Sequence, residues 1–416
     1  MQRHVLRTGV LAGLLIIVAA HLADGASVAE PLSPTLQFEV QEIDRSLKVG
    51  YAVLLADVNG DQRLDIVVVD TQRVIWFENP NWKMHSILRG GTKPDNVCIA
   101  AHDIDGDGRL DFALGADWRP FDTRSGGTLQ WLRQTESPYQ PFELYPIDTE
   151  PTIHRIRFAD VLGEGKPQLI SVPLMGRNAR REKNWMDAPL RVTAYRIPKD
   201  PRRDRWVPET LDASLHVAHN FHITDLDADG RPDILVASYE GVSWLRRDPS
   251  NAWQRLLLGV GNQERPNSNR GASEVRAGRL KNGRQFVATI EPWHGHQVVI
   301  YTPSAEASKV PWQRMVVDEE LRWGHAVWCA DLDGDGNDEV IVGVRDRLND
   351  RIGPGVRIYR CLDASGHKWQ REMVDNGGVA AEDLAVGDLN GDGRPDLVAV
   401  GRFTGNVRIY WNRTTR

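Results

Sequence analysis

An Asp-rich motif that returns seven times constrains this chain more than any other feature. Five copies are intact: DVNGDQRLD from Asp57, DIDGDGRLD from Asp103, DLDADGRPD from Asp225, DLDGDGNDE from Asp331 and DLNGDGRPD from Asp388. Two worn copies, DVLGEGKPQ from Asp160 and GRLKNGRQ from Gly278, complete the series at intervals of 46 to 65 residues. Self-similarity on that scale means stacked or ringed repeats, because one such unit cannot bury its own apolar face.

Each motif follows an extended run such as His325-Ala326-Val327-Trp328-Cys329 and precedes a β-branched one such as Val340-Ile341-Val342. It is therefore a turn between two strands, A and B. A third run has aromatics at alternate positions (VIWFEN from Val74, GVSWLR from Gly241, NVRIYW from Asn406), and a fourth opens on Trp or Phe (WKMHSIL from Trp82, WQRLLL from Trp253). The last third strand runs into the C-terminus without a fourth, but LQFEVQEI from Leu36 has the fourth-strand pattern and precedes the first motif. Pairing it with NVRIYW closes a ring and removes two free sheet edges. The expected fold is all-β, a seven-bladed β-propeller of four-stranded blades closed by an N-terminal strand. A two-domain β-sandwich would not explain seven motifs in phase.

Residues 1–26 have the order of a secretory signal: basic Arg3 and Arg7, an apolar run from Val10 to Ala20, then small residues. The expectation is export to the periplasm or exterior, an uncleaved anchor being the alternative, with residues 27–416 forming the propeller. No later stretch is long enough for a membrane span. The formal charge of −6 is spread among interleaved acids and bases, which excludes a nucleic-acid stripe. Cys98, Cys329 and Cys361 make no disulfide framework.

The intact turns offer hard oxygens at their first, third, fifth and ninth positions, which suits calcium. The expected ligand sets are Asp57, Asn59, Asp61, Asp65; Asp103, Asp105, Asp107, Asp111; Asp225, Asp227, Asp229, Asp233; Asp331, Asp333, Asp335, Glu339; and Asp388, Asn390, Asp392, Asp396. At Asp160 and Gly278 the turn remains without its ligands. In these turns and strands the chain resembles the FG-GAP or VCBS repeat proteins, which implies seven blades with calcium between the inner strands. That likeness speaks to fold and leaves activity to a site.

Strand A lies nearest the axis, so residues at one offset from each motif share a height in the pore. Six residues before each motif stand Tyr51, Val97, His154, His219, Ala272, His325 and Glu382. Three readings fit the three histidines: His154, His219 and His325 sharing a divalent transition metal such as zinc; His154, His219, His325 and Glu382 as acids and bases; or pore-lining residues bridged by water. After strand B the chain returns to this face, bringing Trp118, Arg119, Tyr239, Glu291, Trp293, Arg345 and Arg402 as a rim suited, with Tyr51, to a sugar. His294 and His296 stand beside them, and the insert from Asn178 to Asp187 is either a lid or a solvated loop.

The segments VIWFENPNW from Val74, HVAHNFHITDLDADG from His216, EPWHGHQVVIY from Glu291 and GHAVWCADLDGDG from Gly324 resemble the propeller domain of aldos-2-ulose dehydratase and its bacterial relatives. The resemblance implies elimination of water from keto-sugars such as anhydrofructose, a bound divalent metal, and His154, His219, His325 and Glu382 as metal or acid-base candidates, with His294 and His296 beside them as catalytic candidates. No nucleophile elbow, phosphate loop or dinucleotide fingerprint competes. The expected function is metal-assisted β-elimination on a keto-sugar or acidic sugar, of dehydratase or polysaccharide-lyase type. The fungal enzyme continues into cupin-like domains, so a non-catalytic propeller binding carbohydrate or protein is the alternative.

Overall fold

The computed structural model describes residues 35–304 and 309–415; the expected export segment lies outside them. Twenty-eight strands form seven antiparallel four-stranded sheets, and six of these are built from consecutive strands. The seventh is closed from the other end of the chain: Phe38–Asp44 pairs with Val407–Asn412 in the register Phe38↔Asn412 to Asp44↔Val407. The inner strands of successive blades touch all the way round, so the repeats form a closed ring about a central channel. Among the described residues no helix is long and apolar enough to cross a membrane.

Burial explains the differing sequence of the strands within a blade. The second strands, such as Asp65–Asp70 and Glu339–Val344, are buried at every position because neighbouring blades cover both faces, so they read as continuous β-branched runs. The outer strands, such as Trp253–Gly259, are exposed or half-buried over most of their length. On each third strand one aromatic fills the wedge between blades: Trp76, Trp131, Tyr195, Trp244, Tyr301, Tyr359 and Tyr410 are all nearly or fully buried. Buried tyrosine hydroxyls need acceptors. Tyr301 finds Glu291 at 2.7 Å and Tyr410 finds Asp375 at 2.6 Å.

The worn fifth turn begins one residue later than its sequence suggests. Ser273 N–H donates to the Ile290 carbonyl as His219 N–H donates to that of Ala237, and buried Leu280 takes the place of Leu226. The turn therefore starts at Arg279, and the fifth ring position is Ser273, not Ala272. With no Asp at the turn to mark phase, only the strand pairing reveals this.

Candidate functional site

At the end of the ring away from the Asp-rich turns, the inner strands bulge. Strand pairing slips between Ile153 and Arg155, between Gly324 and Ala326, and between Ala381 and Asp383, so His154, His325 and Glu382 are the extra residues. A bulge re-aims a side chain. Here each one delivers a polar group to the same buried layer, and His154, His219, His325 and Glu382 are 2–5% exposed.

Every ring histidine is oriented by the following blade. His154 Nδ1 donates to the His219 carbonyl at 2.7 Å, and His325 Nδ1 to the Glu382 carbonyl at 2.6 Å. His219 Nδ1 meets the Glu274 carboxylate at 2.6 Å, and Asn220 Nδ2 holds the second Glu274 oxygen at 2.6 Å. With the Nδ1 proton committed, His219 and His325 bring their Nε2 lone pairs together, the arrangement by which a carboxylate or carbonyl orients a metal-binding histidine, whereas His154 Nε2 faces Arg155.

The three histidines that converge are His219, His294 and His325, whose ligand nitrogens all lie within 4.8 Å of one another. His219 Nε2 and His294 Nε2 are only 2.8 Å apart. His294 stands after strand B of blade five, the blade whose inner strand brings no histidine, and holds a left-handed backbone (φ +51°) unusual for a non-glycine residue. Its Nδ1 is buried without a hydrogen-bond partner. This corrects the expected trio: His154 gives way to His294, because Arg155 Nη1 lies 3.3 Å from His154 Nε2.

Burial drives the imidazoles toward their neutral form. His154, His219 and His294 lie well below the usual histidine range, chiefly through desolvation, and His325 is pushed down to about 3 by burial against the opposing pull of Glu382. Burial raises Glu274 to about 7, against the pull of Arg155. Neutral imidazoles with a carboxylate behind one of them suit a borderline-soft divalent ion such as zinc.

The expected rim divides in two. Arg402 pairs with Glu382, and Arg345 Nη1 lies 3.8 Å from Glu382 Oε2, an oxygen buried without a hydrogen-bond partner. Arg345 also lies over the Trp323 ring, 4.1 Å from its centroid. Trp293, His294, exposed His296 and Trp323 line a groove of about 620 Å³ with Arg265 and Arg322. Glu291 is not on the rim. It is fully buried between the Tyr301 hydroxyl and Arg314, a support for the sheet. Tyr239 is likewise buried, Tyr51 donates to Asp95 at 2.7 Å, and Arg119 is tied to Asp117 at the edge. The insert is mostly exposed but anchored: Ala179 and Trp185 pack with Val217 and Tyr239, and its Asn184 reaches the Ser268 carbonyl.

Glu274 and Trp323 were missed by sequence reasoning. Trp323 stands two residues before His325, on the same face, and was legible there. Glu274 stands one residue after the fifth ring position, Ser273, so the ring offset did not point to it.

At the opposite end, the ninth-position carboxylates face inward and accept the backbone N–H of the second turn residue, as Asp65 does from Val58 and Glu339 from Leu332. Burial raises Asp65, Asp111 and Asp396 to about 6, Asp233 to about 7 and Glu339 to about 9. Acidic oxygens converge at Asp103, Asp105 and Asp111, at Asp225, Asp227 and Asp229, and at Asp331, Asp333 and Glu339, while Asn59 and Asn390 bring amides to the first and last turns. One Asp105 oxygen is buried with no partner. This donor set fits a calcium ion. Arg133, Arg246 and Arg360 also engage Asp105, Asp227 and Asp333 and partly balance the charge.

Fold and site together define a seven-bladed β-propeller with Asp-rich turns, and a model of the FG-GAP-like repeat matches residues 57–114 and 331–399. Between these, residues 126–304 match the aldos-2-ulose dehydratase β-propeller domain. Aldos-2-ulose dehydratase of Phanerodontia chrysosporium is 26% identical over 286 residues, covering 64% of this chain and 31% of that protein. The aligned part is thus about a third of the relative's length. Among solved structures, BBS1N in complex with ARL6DN has a TM-score of 0.55 at 12% identity, covering 91% of this chain and 97% of that one. An Agrocybe aegerita lectin that recognises non-reducing terminal N-acetylglucosamine has a TM-score of 0.50 at 16% identity, covering 79% and 81%. These two likenesses show the fold alone.

Proposed function

We propose that this chain is an exported, calcium-binding propeller that acts on carbohydrate at its histidine face, by metal-assisted β-elimination from a keto-sugar or acidic sugar. The observation that carries the reading is the convergence of His219, His294 and His325, three neutral imidazoles of which His294 lines a groove with Trp293 and Trp323. The match to the aldos-2-ulose dehydratase propeller supports a carbohydrate substrate.

In this reading His219, His294 and His325 hold a divalent transition metal, with Glu274 behind His219. When bound, such an ion supplies Lewis acidity toward a substrate carbonyl oxygen. Trp293 and Trp323 offer faces on which a sugar ring stacks, and Arg345 and Arg402 offer donors to its hydroxyls or carboxylate. Glu382, with Oε2 unpartnered, accepts the proton α to the carbonyl. The C–H electron pair becomes the new double bond, the β-hydroxyl departs, and His296 in the groove returns a proton to it so that water leaves.

The test is to incubate the purified, zinc-loaded protein with keto-sugars and uronate oligosaccharides and follow the ultraviolet absorbance of an unsaturated product. Absorbance that appears with wild type and disappears with Glu382→Gln supports elimination. Saturable sugar binding without absorbance from any substrate would leave a non-catalytic carbohydrate-binding propeller.

A further inference from the structure

Directly beneath the histidine layer the channel widens into a cavity of about 580 Å³, lined by the inner strands of all seven blades. Its charged groups are Arg155, Arg157, Glu274, Arg276 and Asp383. Its neutral polar groups include Asn220 and His222. Three guanidiniums thus face two carboxylic acids, of which Glu274 is already engaged by His219 Nδ1 and Asn220.

Glu274 and Asp383 act on these arginines only from beyond ion-pair distance. Among the described residues none of the three makes an ion pair; their partners are neutral. Arg155 donates to the His154 carbonyl at 3.1 Å, Arg157 to Asn220 Oδ1 at 2.9 Å, and Arg276 lies 3.0 Å from His222 Nδ1. Asp383 spends its oxygens on the backbone N–H groups of Val53 and Leu384. Arg157 Nη1 is buried with no partner. Two of the guanidiniums are also fixed by stacking: Arg157 lies 4.5 Å from the Phe221 ring centroid and Arg276 3.8 Å from that of Trp328. Buried cations that stay unpaired are costly, and fixed guanidiniums are suited to planar or tetrahedral oxyanions.

We infer that the channel beneath the histidines is a binding site for a small oxyanion of the phosphate or sulfate class, held chiefly by Arg157 and Arg276. The site lies beneath the histidine face and borders it through Arg155 and Glu274, but Arg157 and Arg276 take no part in the chemistry proposed there.

The test is titration calorimetry of the full chain with sodium phosphate, and separately with sodium sulfate and malonate, in a chloride buffer. Wild type is expected to bind one phosphate per chain saturably and to melt at a higher temperature in its presence. Arg157→Gln and Arg276→Gln should each weaken binding at least tenfold, Arg157→Lys less, and Arg402→Gln on the rim not at all. The sulfate and malonate arms tell a tetrahedral site from a carboxylate site; malonate bound more tightly than either tetrahedral anion would overturn the assigned class. Because the wild-type measurement needs no variant to fold, absence of saturable binding by wild type overturns the inference outright. Loss of binding in Arg402→Gln, or equal affinity in correctly folded Arg157→Gln and Arg276→Gln, would do the same.

Discussion

The two ends of this propeller are built on opposite principles. At the turn end one device is repeated: a first-position Asp gathers backbone N–H groups, as Asp57 does from Gly60 and Gln62, and a ninth-position carboxylate closes the turn. The worn turn at Asp160 keeps the first half of that device, accepting from Glu164 and Gly165 without the acidic set around it. At the histidine end nothing repeats. Three blades bulge to deliver polar groups, and a fourth sends His294 from the far side of its second strand. Repetition suits holding blades together, where any one turn can decay; a single convergent cluster suits chemistry, where each residue has one place to be.

The sharpest way to break this comparison is to open the ring that both ends depend on. Deleting residues 36–43 removes most of the strand that pairs with Val407–Asn412 and bares a sheet edge. The truncated protein is expected to be insoluble or to melt at least about 10 °C lower by calorimetry. A soluble truncation with native melting would mean that blade seven does not depend on its N-terminal strand.

Next in size is removal of calcium. A buried carboxylate whose pKa is raised in the folded state costs nothing below about pH 4, where folded and unfolded forms are both protonated, and it destabilises as pH rises through its folded value. For Asp65, Asp111, Asp396 and Asp233 those values are about 6 to 7, so the metal-free protein should lose stability between about pH 4 and pH 7. A bound cation offsets that cost. Excess chelator should therefore lower the melting temperature by several degrees or more at pH 8 and much less at pH 5. Equal shifts at both pH values would contradict the role given to these carboxylates.

Smaller effects separate the histidine end from its surroundings. Glu274→Gln keeps an acceptor for His219 Nδ1 but removes the charge behind it, so zinc affinity should fall about ten- to a hundredfold with little change in melting. His154→Ala should change that affinity less than about threefold, since the outward Nε2 of His154 faces Arg155. A large loss with His154→Ala and none with Glu274→Gln would restore the trio expected from the sequence.

The fold was legible in the sequence because periodicity fixes phase, and phase fixes topology: seven turns and one displaced fourth strand imply the closure seen between Phe38 and Asn412. The ring was legible for the same reason, and His154, His219, His325 and Glu382 do share a layer. What failed was whatever departs from the repeat. His294 lies outside the inner strands, so no offset rule placed it among the ligands, although its segment stood out. Glu291 resembled a rim residue because it follows strand B, but the third-strand tyrosine of its own blade needed an acceptor. Glu274 stands one residue past the ring position, at the place Asn220 takes in the preceding blade, where no offset rule looked.

The central claim, that His219, His294 and His325 share one ion, is tested most directly by elemental analysis after zinc loading and dialysis, comparing wild type with His219→Ala, His294→Ala and His325→Ala. Wild type is expected to retain about one zinc per chain and each variant to lose it, while calcium per chain stays the same in all four. Zinc that is absent from wild type, or that stays in a correctly folded His294→Ala variant, would contradict the account.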